Sequence, residues 1–591
     1  MESSGILTID NLPEKLPSWH PEDDSHVYAI VDMGSNGIRF SITSLAPPKA
    51  RLLTPIYSTR AAISLFDALT PDDHGGLILP SATISDVAIA LQDFARLAEL
   101  HQVPRQNMMI FATEAMRRAS NATELLAAVA KATGGCGVQI LEPAVETLFG
   151  AVMGSRSALN TVDRGALFLD LGGGSVQITW VDTSLAAYET KAALAGCSMP
   201  YGAAKLTRIL EEGDAELQIS ESNKLHELMK SAYDQLCVKF PKLQDIRQAY
   251  ESGDTKACLD VYMCGGGFRG YGSMLMHADK HQPYPIPSIG TFTVDGATFK
   301  QVDEMIRINK EHDGKIFGLS KRRRRQFDAI TRVVKAFIAT VPNINRATFC
   351  QGSNRDGALM MKLPREIRES NPLVAIAAVS AQEKPIFDGI LRKLSQALPQ
   401  EVFASPNTPT VLSDEGLGCL YIREIWARGG YYADTNASYA LHNAISRDSD
   451  APGLTHLSRA LLGLTVAARW GLGLGPADTK LAEGLEGIIS RNSNDAVFWA
   501  KYIGAVTDVV ASIFPVFPRD IDRFEKSLSF EAHIRPREEK KDRLEFDILI
   551  SEDILAQVKP AGLIEKLKST MKNGTKTPEK KIVARIDTLK S

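Results

Sequence analysis

Apolar and polar positions alternate most tellingly in two stretches of one design. Residues 167–180, LFLDLGGGSVQITW, read as a buried apolar strand, an acid, three glycines and a serine, and a second alternating strand. Residues 28–44, YAIVDMGSNGIRFSITS, repeat the plan with a Gly/Ser/Asn turn. Glycines let the backbone turn tightly and approach a ligand. Bare N–H groups in such a turn form an anion nest. Asp170 and Asp32 stand at the mouths of the two turns and would repel a phosphate unless a cation lay between. The pattern therefore predicts a phosphate–Mg²⁺ site. Two copies about 140 residues apart predict a duplicated fold with two phosphate loops facing one cleft.

Other elements follow from periodicity. Residues 80–101 carry Val87, Leu91, Phe94 and Ala98 at helical spacing. Residues 108–113, MMIFAT, read as a strand leading into EAMRRASN, where Arg117 offers a phosphate a bidentate fork. A surface arginine on a helix is the plainer reading. Residues 138–141 form another strand, and a helix begins near Pro143. Glu142 and Glu146 share one face of it, a pattern that usually only offsets the helix dipole. Residues 198–206, SMPYGAAKL, carry Lys205, and 215–250 form a long charged helical region. Residues 261–269, VYMCGGGFR, and 348–359, TFCQGSNRDGAL, end strands in further glycine turns.

The run KRRRR at Lys321–Arg325 reads as a solvated helix face, a nuclear-import signal or a guide for polyanions. From about residue 363 helices dominate, and residues 526–549 form two strands around a charged turn. Residues 1–26 lack periodicity and are expected to be a disordered tail. The last thirty residues, lysine-rich, are expected to fray apart from a short helix.

Size and composition change this picture little. A chain of 591 residues implies roughly three to four domains. A net charge of −3 gives no reason to expect direct nucleic-acid binding. Seven scattered cysteines without C-x-x-C fit a reduced compartment. No apolar run reads as long enough to span a bilayer, so no membrane partner is expected. The polar N-terminus lacks the apolar core of a signal peptide, and cytoplasm is the default.

Six blocks, VDMGSNGIR, FATEAMRRASN, LDLGGGSVQ, MPYGAAKL, CGGGFR and QGSNRDGAL, occur in order over residues 27–362. In this order they resemble the signature blocks of the exopolyphosphatase/guanosine-pentaphosphatase (Ppx/GppA) phosphatases of the actin–hexokinase–Hsp70 superfamily. The C-terminal half is similar to the fungal branch tied to retrograde, mitochondria-to-nucleus signalling. The resemblance implies an α/β fold of two ribonuclease-H-like lobes with an interlobe cleft, followed by a mainly helical C-terminal domain with a small β element. The implied bounds are a tail over 1–26, lobe I over 27–145, lobe II over 146–362 and the C-terminal domain over 363–591.

The resemblance also implies Mg²⁺-dependent hydrolysis of a terminal phosphoanhydride. Glu146 matches the catalytic glutamate, with Glu142 as fallback. Gly34, Ser35, Asn36, Arg117, Gly172, Gly173, Gly174 and Ser175 would bind phosphate. Asp170 and Asp32 would hold the metal. Gly266, Arg269 and Arg355 would steady the second lobe or a chain of phosphates. The implied ligand is polyphosphate or a guanine or adenine nucleotide. Signalling partners and a homodimer through the helical half are further expectations.

Two departures bear on turnover. Where the family has Gly-Ser-Asn-Ser, this chain has Gly37 last, and where it has Ser-Thr-Glu, this chain has Ser175-Val176-Gln177. The cradle is kept while the acids around the metal are thinned, which fits weak hydrolysis or binding without turnover. The alternatives are therefore a catalytically weak nucleotide or phosphate sensor acting as a signalling scaffold, and a superfamily ATPase or sugar kinase.

Overall fold

The computed structural model describes residues 5–34, 37–72, 75–156, 162–405, 407–429, 433–446, 451–491, 493–537, 541–573 and 580–589. The chain divides into two compact units: Met1–Asp279 with Ser288–Ser370, and Lys280–Pro287 with Asn371–Ser591.

The first unit holds two sheets of six strands each. In chain order the first lobe contributes β1 (Gly5–Leu7), β2 (Val27–Gly34), β3 (Gly37–Ser44), β4 (Thr54–Ala61), a short β5–β6 hairpin (Thr70–Pro71, Leu77–Ile78), β7 (Met108–Ala112) and β8 (Val138–Leu141). The second lobe contributes β9 (Ala166–Leu171), β10 (Val176–Val181), β11 (Cys197–Met199), β12 (Leu259–Cys264), β13 (Phe292–Asp295) and β14 (Ile344–Phe349). The sheet orders are β1-β8-β7-β2-β3-β4 and β11-β10-β9-β12-β14-β13. In each, an antiparallel meander of three strands (β2–β3–β4, β9–β10–β11) continues through parallel strands on the far side of its first strand, and the second sheet closes with β13 antiparallel to β14. This is the ribonuclease-H-like arrangement, present twice. Each predicted hairpin is the inner pair of its sheet, so Asp32 and Asp170 sit at the ends of central strands.

Alternation explains which face each strand buries. Ile38, Phe40 and Ile42 of β3 are fully buried and share a cluster with Val87, Leu91, Phe94 and Ala98 of the helix Ser81–Leu100. Phe40 and Phe94 stack with ring centroids 4.9 Å apart. A second cluster joins the lobes, with Tyr28, Phe111, Phe149, Phe168 and Leu359 in one dry core.

The segment before β2 does not form the loose tail its composition suggested. β1 pairs in parallel with β8, and Trp19 is buried, its indole N–H donating to the Leu45 carbonyl (3.0 Å). Leu7, Leu12, Leu16 and Trp19 join the interlobe cluster. Four apolar anchors spread over a three-residue strand, a one-turn helix and the loop after it have no period, so the pattern was invisible in sequence.

In the second unit, helices from Pro372 to Ile513 precede β15 (Leu528–Arg535), β16 (Arg543–Ile550), the helix Pro560–Lys572 and β17 (Lys581–Thr588). β15 and β16 form the antiparallel pair expected around the charged turn, part of which, 538–540, lies outside the described residues. The chain end corrects the expectation of fraying, because β17 adds in parallel to β16. Ile582, Ala584 and Ile586 pack on the core at period 2, a signal hidden by the surrounding lysines. The bilayer expectation also needs correcting. Asp495–Ile513, 19 residues of mean hydropathy 1.4, is long and apolar enough to cross a membrane by length and composition. It is 89% buried inside the protein, as a core helix is.

Trp19→Ala should destabilise the first unit by about 3–5 kcal/mol, through lost burial and an orphaned carbonyl. Denaturant unfolding checks this, and an unchanged midpoint would return residues 5–26 to the status of a tail.

Candidate functional site

Both glycine turns open onto one cleft of about 110 Å³. Asp32 and Gly34 line it from the first hairpin, and Asp170, Gly172, Gly173, Gly174 and Ser175 from the second. Glu146, Gly266 and Arg269 complete the set of expected residues that meet there. Ser35 and Asn36, the tip of the first loop, lie outside the described residues.

The second loop is held from behind. The N–H groups of Gly202, Ala203 and Ala204, at the start of the helix Ala203–Glu212, donate to the carbonyls of Gly174 (3.0 Å), Gly172 (3.0 Å) and Gly173 (2.9 Å). With its carbonyls engaged, the loop has N–H groups left over. Among the described residues, nothing accepts from the N–H of Gly173 or Gly174. Two further helices, Gly265–His277 and Asn354–Lys362, begin at residues that line the cleft. The third glycine turn is thus the first turn of a helix. Helix N-termini present donors and partial positive charge, so the second loop and these two helix starts favour an anion here.

Carboxylates oppose that field. Asp32 is buried, and burial pushes its pKa up although Arg39 and Arg355 counter it. Asp170 is pushed up to about 6 by burial, against the pull of Arg269, with Asp32 adding to the rise. Gly265 makes room for it: at φ +84°, a Cβ there would lie 2.1 Å from Asp170 Oδ1. Glu146 ends the short helix Pro143–Glu146, where the chain passes into a π-helical turn, Thr147–Gly154. Such turns often mark functional positions. Burial pushes the Glu146 carboxyl up to about 7, despite an ion pair from Arg117, with Asp170 and Glu114 adding to the rise.

These shifts have a stability sign. A folded pKa above the unfolded one means the native state holds protons that the unfolded chain has released. Between the usual carboxylate value and about 7, stability therefore falls as pH rises. A cation would remove this penalty for Asp32 and Asp170. Two buried acceptors at the cleft, Asp32 Oδ1 and Asn354 Oδ1, have no donor among the described residues. An all-oxygen set of two carboxylates and an amide fits a hard divalent cation. No group of three or more His, Cys, Asp or Glu side chains is placed to hold a metal among the described residues, so such a cation would complete its shell with phosphate and water.

Other expected residues lie elsewhere. Arg117 does not present a fork to the cleft. Its guanidinium donates to Glu146 Oε2 (2.7 Å), Glu114 Oε2 (2.9 Å) and the Leu141 carbonyl (2.5 Å). It thereby fixes one oxygen of Glu146. Glu142 accepts the Ile9 N–H (2.7 Å) and does not line the cleft. Arg355 acts on Asp32 through charge but is not among the lining residues. Lys205 lies over the Tyr201 ring at 4.4 Å.

Sequence reading missed Arg39, Thr113, Ser353 and Asn354, all of which line the cleft. Arg39 alternates with Ile38 and Phe40 and so looked like the solvent side of a strand. Arg323 was hidden in a charge run. Its guanidinium lies against Gly266, where a Cβ would be 3.4 Å from Nη2. Burial lowers its pKa to about 10, as does repulsion from Arg269, Arg39 and Arg60. Four arginines thus gather near one cleft wall.

Residues 44–366 match the model of the Ppx/GppA phosphatase family, and residues 371–587 that of the RTG2 C-terminal domain. Retrograde regulation protein 2 of Saccharomyces cerevisiae is 31% identical over 502 residues, covering 82% of this chain and 80% of the relative. Among solved structures, an exopolyphosphatase from Cytophaga hutchinsonii is similar at 17% identity, with a TM-score of 0.43, over 57% of this chain and 97% of that one. The Aquifex aeolicus PPX-GPPA enzyme is similar at 19% identity, with a TM-score of 0.41, over 56% of this chain and 98% of that one.

If Arg117 restrains the Glu146 carboxyl, Arg117→Met should move its protonation midpoint above the wild-type value of about 7. Infrared difference spectra of the carboxyl band, with Glu146→Gln to assign it, measure this. A midpoint unmoved by the substitution would show that the ion pair does not set it.

Proposed function

The chain belongs to the Ppx/GppA phosphatase family, and from that premise we propose that its cleft takes the end of a phosphoanhydride chain and hydrolyses the terminal bond. The ligand is polyphosphate or a guanosine polyphosphate. The observation that carries this reading is the meeting of two glycine loops with a carboxyl of pKa about 7 in one small cleft. Phosphoryl transfer needs positioning and charge neutralisation more than covalent help.

The terminal phosphate sits against the N–H groups of Gly173 and Gly174 and the first turns of the helices at Gly265 and Asn354. Arg39, Arg269 and Arg323 balance the charge of the phosphates that remain on the leaving side. Arg117 holds Glu146 Oε2, which leaves Oε1 to orient a water in line with the terminal phosphorus. Glu146 accepts the proton as the water oxygen bonds to phosphorus. The bridging P–O bond breaks, and its electron pair leaves on the shortened chain. Mg²⁺ held by Asp32, Asp170 and Asn354, when bound, supplies neutralisation of the non-bridging oxygens.

The yeast relative is named for retrograde regulation, and that role is carried over here as part of the proposal. A second reading keeps the cleft as a sensor with little or no turnover. Gln177 favours it. Its amide donates to Ser175 Oγ (2.8 Å) and Ser198 Oγ (3.2 Å), at a position where the family pattern has an acid.

Phosphate release from tripolyphosphate and longer chains with Mg²⁺ tests the first reading. Glu146→Gln should lower kcat by roughly 10²–10⁴-fold, the range general-base catalysis supplies. Wild-type kcat should rise with pH to a plateau above about 7, as Glu146 ionises. No release by wild type, with clear ligand protection against unfolding, would leave the sensor. For the metal, Asp170→Asn should abolish the Mg²⁺ dependence of the melting-temperature rise that tripolyphosphate gives. An intact dependence would remove Asp170 from the cation site.

A further inference from the structure

The arginine run Lys321–Arg325 is one helical turn whose side chains part in different directions. Arg323 faces the cleft wall at Gly266. Arg324 donates to the carbonyls of Asn309 (2.7 Å) and Gly314 (3.1 Å), and Arg325 pairs with Glu211 (2.5 Å). Arg322 crosses to the first lobe. Its Nη2 donates to Asp67 Oδ2 (2.8 Å) and Ser64 Oγ (3.1 Å).

A second arginine of the same lobe grips the same segment. Arg208, on the helix Ala203–Glu212, donates to the Asp67 carbonyl (3.3 Å). Its guanidinium lies 5.5 Å from the centroid of the Phe66 ring, which Arg118 of the first lobe approaches at 5.8 Å. Phe66 is buried in this arrangement.

We infer that residues 64–67, gripped by Arg322 and Arg208, are a latch that closes the two lobes on the cleft and opens reversibly. Both anchors belong to elements that shape the site. Arg322 neighbours Arg323, and Arg208 rides on the helix whose start fixes Gly172, Gly173 and Gly174. Release of the latch therefore loosens the cleft wall and the second loop together. The strength of the tie suits opening. Arg322 and Asp67 are 41% and 52% exposed, so their attraction is modest and screened by salt. The apolar core that joins the lobes elsewhere is dry and feels no such screening. The latch regulates access to the proposed phosphate site and rests on that reading only for its effect on affinity.

Hydrogen exchange of the full-length, ligand-free protein tests the latch without reference to any ligand. Asp67→Asn and Arg322→Gln should each speed exchange in residues 171–177 by roughly two- to fivefold, the range an exposed ion pair supports. The double variant should fall short of the product of the singles, because the Arg322–Asp67 pair is lost in all three while only the variants at Arg322 also lose the bond to Ser64. Unchanged exchange in the singles, or effects that multiply in the double, would overturn the latch. Tripolyphosphate affinity by calorimetry is the second arm. It should fall by a similar factor in each variant, and 0.5 M salt should bring wild type toward them. If wild type binds no tripolyphosphate, the phosphate reading fails while the exchange result still decides the latch.

Discussion

Three carboxylates share one small cleft, and the cost of holding their charge there organises everything around it. Asp32, Asp170 and Glu146 each bind protons more tightly than free carboxyls do, because burial outweighs the arginines beside them. Arg39 and Arg269 pull on Asp170, and Arg117 pulls on Glu146. Two helix starts and an anion nest add positive field. Such a cleft repels a bare phosphate and repels a bare negative charge on its own acids. If a cation and a phosphate bind here as proposed, each would neutralise what the other meets, and their binding would be coupled.

The scaffold that permits this is a duplication tightened by missing side chains. Each lobe aims one acid and one glycine turn from its central hairpin. The helix and π-turn that carry Glu146 lie close over the second acid: a Cβ on Gly150 would be 2.5 Å from Asp170 Oδ2. Gly357, on the helix Asn354–Lys362, lets that helix touch the same turn, since a Cβ there would be 1.9 Å from the Phe149 carbonyl. Backbone in contact with backbone leaves little freedom, so Glu146, Asp170 and Asn354 are held as a set.

Much of this geometry was legible because it rests on local signals. Alternation with an acid before a glycine turn marks both hairpins, and Pro143 marks the start of the Glu146 helix. Arg117 was legible as a site residue but not in its role, since only the fold brings the Leu141 carbonyl and Glu146 to its guanidinium. Arg39 and Arg323 were lost to background patterns, a half-exposed strand and a charge run. β17 and the Trp19 segment failed for a related reason. Their apolar anchors are few and set among lysines or prolines, and only long-range packing gives them meaning.

The two departures from the family pattern act on the same electrostatic balance. Gly37 takes φ +151°, a conformation that L side chains rarely adopt, so a side chain with the missing hydroxyl would be strained at this position. A glutamate at Gln177 would be a fourth carboxylate in a cleft that already strains to hold three. The amide keeps the hydrogen bonds to Ser175 and Ser198 and removes that charge. Losing an acid weakens cation binding and weakens phosphate repulsion together. The ground-state complex therefore suffers less than the transition state, in which charge must be neutralised as the bond breaks. On the hydrolase reading proposed above, losing this acid would lower turnover more than occupancy.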